Sequence, residues 1–502
     1  MKKGEDLESP LLPDDGEPAP AGDKGSAYAL VCALLASLTS VIYGYNRGVM
    51  SGAQKFVQAD LGVTDGQLEV LIGATSVYSL VGSLAAGWTC DRAGRRRAVA
   101  LAAAMFLAGS AATAAANGYA ALMAGQLVAG VACGFGLVVA PVYIAEIAPA
   151  GSRGFLSSIP EIAGNSGILL SYVADMALAG LPATLSWRLM IGIGAVPPLF
   201  LAAAAALAMP ETPRWLVLHG RPDEARRVLA RTSGDAAERR LQEIAATVRE
   251  ASSKGAGGEP AAAAGVWREL LLRPTPAVRR VMVAILGLQV FQQASGVAAM
   301  VLYAPRVFGH VGITSDRAVL GATVLLGAAK TAAIVAPLFL ADRLGRRPML
   351  LASAGGMAAS LLVLGLSVRA PPPAAAAAVT WWAAATCVAA AAAFMATFSL
   401  GFGPVISMYG SEILPLRLRA QGTGIGTAVN RVMSAVVGMT FISLYEAVGM
   451  AGTFYIFAAA AAAAWVFVYA CLPETKGRSL EEMEALFDDA GAKQPSPRPT
   501  LT

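Results

Sequence analysis

The stretch DRAGRR at residues 91–96 returns as DRLGRR at residues 342–347, and two further motifs repeat with it. YIAEIAPAGSRG (143–154) returns as YGSEILPLRLRAQG (409–422), with seven residues from glutamate to arginine in both copies. PETPR, from Pro210, returns as PETKGR, from Pro473. Three polar motifs recurring in the same order, about 250 to 265 residues apart, predict a chain of two related halves. The chain has 502 residues, of which 56% are hydrophobic and only 14% charged, and its mean hydropathy is +0.59. That balance excludes a disordered chain and a soluble enzyme of ordinary composition, and it predicts halves that lie in a membrane.

A bilayer core of about 30 Å needs about 20 apolar residues per helix. Twelve such stretches are expected, beginning near Tyr28, Gln67, Ala98, Tyr119, Leu156, Trp187, Arg280, Val319, Met349, Val379, Thr423 and Gly452. The expected fold is an all-α membrane protein of twelve transmembrane helices in two pseudo-symmetric six-helix bundles, the first over 27–210 and the second over 279–473. The junctions after the second and eighth stretches carry Arg92, Arg95, Arg96 and Arg97, then Arg343, Arg346 and Arg347. Positive charge marks cytoplasmic junctions, so both termini are expected inside. The opposite junctions hold only scattered cations, among them Lys55, Arg306, Arg317 and Arg369.

Residues 1–26 are polar and proline-rich, without the basic-then-apolar layout of a cleavable signal, and read as a disordered cytoplasmic tail. Residues 474–502 read as a second tail. Between the bundles, 211–278 is hydrophilic, and Leu241, Ile244 and Val248 recur there at helical spacing. Short amphipathic helices against the cytoplasmic face are expected, followed by a Gly- and Ala-rich link at 252–265. The net charge of +5 requires no nucleic acid. Cys32, Cys90, Cys133, Cys387 and Cys471 show no paired spacing, so neither a disulfide framework nor a metal site is implied. His219 and His310 read as solvated loop residues.

Each DRxGRR places a carboxylate among guanidinium groups at a helix junction, where ion pairs and helix capping are both open to it. The plainer alternative is a topological anchor of positive charge. Duplication, with Glu146 and Arg153 matched by Glu412 and Arg419, favours an ionic latch between bundles, formed by Asp91, Arg92, Arg95, Glu146, Arg153, Asp342, Arg343, Arg346, Glu412 and Arg419. The glycine runs at 125–136 and 422–426 follow no strand and match no nucleotide loop. Their small residues at four-residue spacing permit close helix packing instead. No hydrolase elbow, zinc motif or glycosylation sequon occurs, so no enzyme, cofactor or metal is expected.

Together the blocks at 91–96, 141–154, 210–214, QQASG at 292–296, 342–347 and 473–478 resemble the sugar porter family of the major facilitator superfamily, over residues 28 to 478. IPE at 159–161, LYAP at 302–305, Lys330 with Thr331 and Asn430 with Arg431 look most like the plant polyol and monosaccharide branch. The resemblance implies a carrier that binds a small neutral polyol or sugar midway between its bundles and exposes it to each side in turn. It also implies a chain that works as a monomer. Gln289, Gln292 and Gln293 would supply amides that donate and accept at once, or would only bridge helices. Asn46, Glu161, Tyr303, Lys330, Asn430 and Arg431 match further cavity-lining positions. Charges at mid-membrane cost about 2.5 to 3.5 kcal/mol on insertion scales, so Glu161 and Lys330 are expected to pair.

The chain also departs from that family. Proton-coupled members carry an acid in the first span and an arginine in the fourth, where this chain has Asn46 and Gln126. Neither amide titrates, and losing both together avoids stranding one buried charge. Ala298 and Ser407 replace an asparagine and a tryptophan, which widens the expected cavity. Arg47 adds a cation beside Asn46, free to reach Glu161 or to extend toward the interface. Three readings stay open: a facilitative carrier, a proton symporter using Glu161, and a solute sensor or inactive paralogue. The plasma membrane is the expected location. LESPLL at 7–12 offers a dileucine-like route to a vacuolar membrane.

Overall fold

The computed structural model describes residues 23–255, 270, 274–368, 377–414 and 418–476. Among them the chain is helical. The first half contains α1 (Asp23–Leu61), α2 (Asp65–Ala93), α3 (Arg95–Ala114), α4 (Tyr119–Ile147), α5 (Arg153–Leu178), α6 (Ala183–Ile193) and α7 (Val196–Leu207). Three linker helices follow: α8 (Pro213–Leu218), α9 (Pro222–Ser233) and α10 (Ala237–Gly255). The second half contains α11 (Pro276–Ala294), α12 (Val297–His310), α13 (Asp316–Ala333), α14 (Pro337–Leu344), α15 (Arg346–Val368), α16 (Ala377–Leu400), α17 (Val405–Ile413) and α18 (Arg419–Cys471).

Nine stretches of the described residues are long and apolar enough to cross a membrane. The expected spans beginning at Leu156 and Val319 are helical, as α5 and α13, but are not among the nine. Their composition explains this: α5 holds Arg153, Glu161 and Asp175, and α13 holds Asp316, Arg317 and Lys330. The last two expected spans appear as one apolar stretch, Gln421–Cys471, broken where Gly449 takes φ 78° and ψ 157°. The helix expected from Arg280 is also interrupted, between α11 and α12, where Gly296 has φ 83°. A side chain there would meet the Phe457 ring at 2.4 Å, so glycine alone fits both the backbone and the space.

Helices α1 and α5 pack together, as do α2 and α4, and α3 and α4. Small residues set these distances: a Cβ on Gly134 would stand 2.1 Å from the Ser79 carbonyl oxygen. In the second half α18 packs on α11 and α15. The halves meet along α2 with α18 and along α5 with α13. The second-span helix of each half therefore faces the fifth-span helix of the other.

The tail expected over 1–26 lies outside the described residues up to 22, and α1 already begins at Asp23. The sorting pattern at 7–12, most of the 252–265 link and residues 477–502 are also outside them. In the linker, Leu241 and Ile244 on α10 turn inward onto Trp215, Leu216, Ala225 and Leu229. Arg240 ties α10 to the first half by donating to the carbonyl oxygen of Ala148 at 2.6 Å. Burial holds its guanidinium below the usual arginine range.

Candidate solute-binding site

Asn430, on α18, is the centre of an amide cluster with α11. Its Nδ2 donates to Gln289 Oε1 at 2.9 Å and to Gln292 Oε1 at 2.5 Å. Its Oδ1 accepts from Gln293 Nε2 at 3.2 Å and from the Arg431 guanidinium at 2.8 Å. Gln292 also donates to the Phe402 carbonyl at 2.5 Å. The cluster spends all of Asn430's hydrogen-bonding capacity, yet leaves Gln293 Oε1 and Arg431 Nε buried without partners. Unpaired buried polar atoms cost about 1 to 3 kcal/mol each, which marks these two as the open hydrogen-bonding positions of the cluster. The cluster lies just before the α11–α12 break, at a discontinuous helix of the kind on which carriers build solute sites.

The first half faces this cluster with Tyr43, Asn46 and Arg47, which line a pocket with Thr75, Cys133 and Leu302. Tyr43 Oη accepts from Arg431 at 3.0 Å, which ties the amide cluster to the Tyr43 side of that pocket. Asn46 Oδ1 accepts a weak 3.7 Å bond from the Cys133 thiol, and Gln126 Oε1 accepts from Thr75 at 3.4 Å. Both amides are thus held by neutral partners. Arg47 departs from both of its expected roles: it donates across the halves to Ser434 Oγ at 3.1 Å.

Glu161 and Lys330 form no ion pair among the described residues, contrary to expectation; the nearest hydrogen-bond donor to Glu161 Oε1 is Asn165 Nδ2, at 3.4 Å. Lys330 lies within electrostatic reach of Glu161, Arg47 and Tyr43. Tyr303 is wholly buried, donates to the Gly438 carbonyl at 2.7 Å and stacks on Phe441, so in this conformation it joins α12 to α18 and does not open onto the site. Ala298 is likewise wholly buried in the core, and its small size adds no room to the site; Ser407 is exposed.

The duplicated motifs form the same polar frame twice. Arg95 meets Glu146 at 3.0 Å, and Arg346 meets Glu412 at 2.8 Å. The hydroxyls of Thr212 and Thr475 each donate to the second oxygen of these glutamates at 2.6 Å. Glu211 accepts from the backbone N–H of Arg95 at 2.9 Å, and Glu474 from that of Arg346 at 2.9 Å, each capping a helix start. Tyr143 and Tyr409 close the frames by donating to the Pro210 and Pro473 carbonyls. Gly94 and Gly345, both at φ 93°, make the two turns. Burial pushes the Glu211 carboxyl above its usual range, against the pull of the Thr212, Arg96 and Arg95 backbone donors.

Both frames are therefore internal to a half, which corrects the expected latch between bundles. Asp91 reaches Arg95 at 3.4 Å but is 78% exposed, and Arg92 lies over the Trp88 ring. Arg153 is exposed, Arg419 donates to the Leu414 carbonyl, and the Arg343 carbonyl accepts from Lys476. The side chain of Asp342 is outside the described residues. The acids Glu211 and Glu474 belong to the PET motifs, but nothing in their spacing marked them as helix caps.

Further polar links between the halves lie on the face opposite the arginine motifs. Glu69, 3% exposed on α2, accepts from the backbone N–H groups of Ile442 at 2.5 Å and Ser443 at 3.0 Å, and from Ser443 Oγ at 2.6 Å. Arg306 pairs with Asp65 at 2.6 Å, and Lys55 with Asp316 at 2.5 Å. Tyr172 donates to the Val301 carbonyl at 2.7 Å. Lys55 and Arg306, read from sequence as scattered loop cations, help to seal this face.

The profile of the sugar (and other) transporter family matches residues 32–487. The chain is similar to polyol transporter 5 of Arabidopsis thaliana, 47% identical over 92% of this chain and 87% of that one. It is also similar to putative polyol transporter 1 of the same plant, 48% identical over 96% and 95% of the two chains. Among solved structures, the proton:xylose symporter XylE bound to 6-bromo-6-deoxy-D-glucose matches with TM-score 0.73 and 25% identity, over 92% of this chain and all of that one. With the duplicated ionic frame and the amide cluster at a broken helix, these likenesses make the chain a multi-pass membrane carrier, not an enzyme, and a member of the sugar transporter family.

Proposed function

We propose that the protein carries a polyol or monosaccharide across a membrane by alternating access, without coupling to protons. The amide cluster at Asn430 carries the reading: five amide and guanidinium groups converge at one point, and two of their polar atoms have no hydrogen-bond partner among the described residues. The likeness to polyol transporters and to a sugar-bound symporter supports the substrate class. Twelve crossings complete the architecture. At about 1.5 Å per residue, the 51-residue stretch Gln421–Cys471 far exceeds a bilayer core of about 30 Å, and folding back at Gly449 makes two spans of it. The half-apolar α5 and α13 supply two more, with Glu161 and Lys330 within electrostatic reach of each other.

With the arginine motifs on the cytoplasmic side, the seal of Glu69, Arg306, Lys55 and Tyr172 closes the outer face. In this reading the closed outer face is that of an inward-facing state. Opening outward breaks these links while the two internal frames keep each half rigid, so the halves rock as bodies about the site. Asn46 and Gln126, each held by neutral partners, leave the first half without the acid and arginine of proton-coupled relatives. Uptake of labelled sorbitol and glucose into proteoliposomes tests this. Saturable uptake of at least one, lost in Asn430→Ala and Gln293→Ala, is expected; uptake untouched by both substitutions overturns the assignment of the site.

A further inference from the structure

One feature of the site is not accounted for by a neutral solute. Arg47 on α1, Lys330 on α13 and Arg431 on α18 gather around Tyr43. Arg431 bonds the Tyr43 hydroxyl, Arg47 lines the same pocket one helical turn away, and Lys330 lies within reach of Arg47 and Tyr43. Among the described residues none of the three forms an ion pair. Among the described residues Glu161 is the carboxylate in electrostatic reach of Lys330, and two other buried acids are engaged elsewhere. Glu69 is spent on Ile442 and Ser443, and Asp175 accepts from the Gly52 backbone N–H. Three cations against one acid leave the site with an excess of two positive charges. Cations at membrane depth are costly unless compensated, and among the described residues no carboxylate but Glu161 stands against these three.

Arg47 adds to the excess. Asn46 and Gln126 together replace an acid and an arginine of proton-coupled relatives, which leaves the charge balance unchanged, whereas Arg47 places an added guanidinium beside Asn46. Arg47 is not consumed by a structural partner: its one hydrogen bond described is to the neutral Ser434 hydroxyl, and the Arg431 Nε is buried and unpaired. Guanidinium groups with donors to spare match carboxylate geometry.

We propose that this site selects an anionic sugar acid of polyol or hexose size, an aldonate or uronate. Its carboxylate is held among Arg47, Arg431 and Lys330, and its hydroxyls meet Gln293 and the neighbouring amides. The inference rests on the carrier reading above and narrows its substrate. A carboxylate in this position neutralises part of the excess charge, which a polyol of the same length cannot do.

Gluconate and sorbitol make the decisive pair, since they share a six-carbon polyhydroxylated chain and differ in a terminal carboxylate against a terminal alcohol. Their binding to the purified full chain in nanodiscs is measured by calorimetry at low and high salt. Gluconate is expected to bind at least about tenfold more tightly than sorbitol, and only gluconate binding should weaken as salt rises. Arg47→Gln is expected to cut gluconate affinity about tenfold and to move sorbitol by less than about twofold. Equal or tighter binding of sorbitol to the unsubstituted protein overturns the inference and leaves the carrier reading standing. Binding and uptake of neither solute overturns both. The comparison in the unsubstituted protein decides even where Arg47→Gln fails to fold.

Discussion

Replacing Glu69 by glutamine should unlatch the outer face while leaving the solute site intact. The carboxylate accepts three hydrogen bonds from α18, two from backbone N–H groups and one from Ser443 Oγ, in a setting that is 3% exposed. Bonds to a charged group contribute about 1.5 to 3 kcal/mol and neutral ones about 0.5 to 1.5, so three bonds losing their charge give up about 3 to 4.5 kcal/mol. Relief from burying the charge offsets part of this, and a net cost of about 1 to 3 kcal/mol to the closed outer face follows. At 1.4 kcal/mol per tenfold, the equilibrium moves about 5- to 150-fold toward outward-open. Spin labels at Gly66→Cys and Glu446→Cys, both exposed on that face, report the change by pulsed dipolar spectroscopy once the exposed Cys471 is made serine. The expected result is a longer-distance population that is minor in the parent and large in Glu69→Gln. An unchanged distance distribution refutes the assignment of Glu69 as a latch.

Gly73 lies where a Cβ would stand 2.2 Å from Met439 Cγ, so Gly73→Val should hold α2 off α18 and slow uptake; a rate equal to the parent's contradicts this close approach. Glu412→Gln removes the acid opposite Arg346, and breaking a half-buried pair of this kind should cost up to about 3 to 5 kcal/mol, seen as a lower melting temperature that Glu146→Gln reproduces in the other half. Gly94→Ala places a side chain at φ 93° and 2.3 Å from Glu211 Oε2, which should destabilise the chain by about 1 to 3 kcal/mol or more. Because the folded Glu211 value lies above the ordinary 4.5, its contribution to stability is complete below that value and declines as pH rises through the folded one. The melting temperature of the parent relative to Glu211→Gln should therefore fall across that window, and a flat difference counts against it.

The polar frames were legible because duplication wrote them twice: Arg95, Glu146, Arg346 and Glu412 could be picked from motif spacing, although their pairing within each half could not. The amide cluster was legible as glutamines in an apolar stretch. The outer seal was not, since Glu69 meets Ser443 across 374 positions of sequence and neither residue sits in a motif. Its chemistry depends on two helices from different halves meeting, which only the packing of α2 on α18 supplies. Spans α5 and α13 were legible as helices, yet their charges keep them out of the nine plainly apolar stretches. Arg47 illustrates the same limit, because its partner Ser434 lies 387 positions away.

The central claim is carriage without protons, and the direct test is uptake of labelled solute into proteoliposomes with and without an imposed pH gradient. The account predicts saturable uptake of a polyol, hexose or sugar acid that equilibrates but does not accumulate when the gradient is applied. Restoring Asn46→Asp with Gln126→Arg should then confer gradient dependence. Accumulation driven by the pH gradient in the unsubstituted protein would contradict the account.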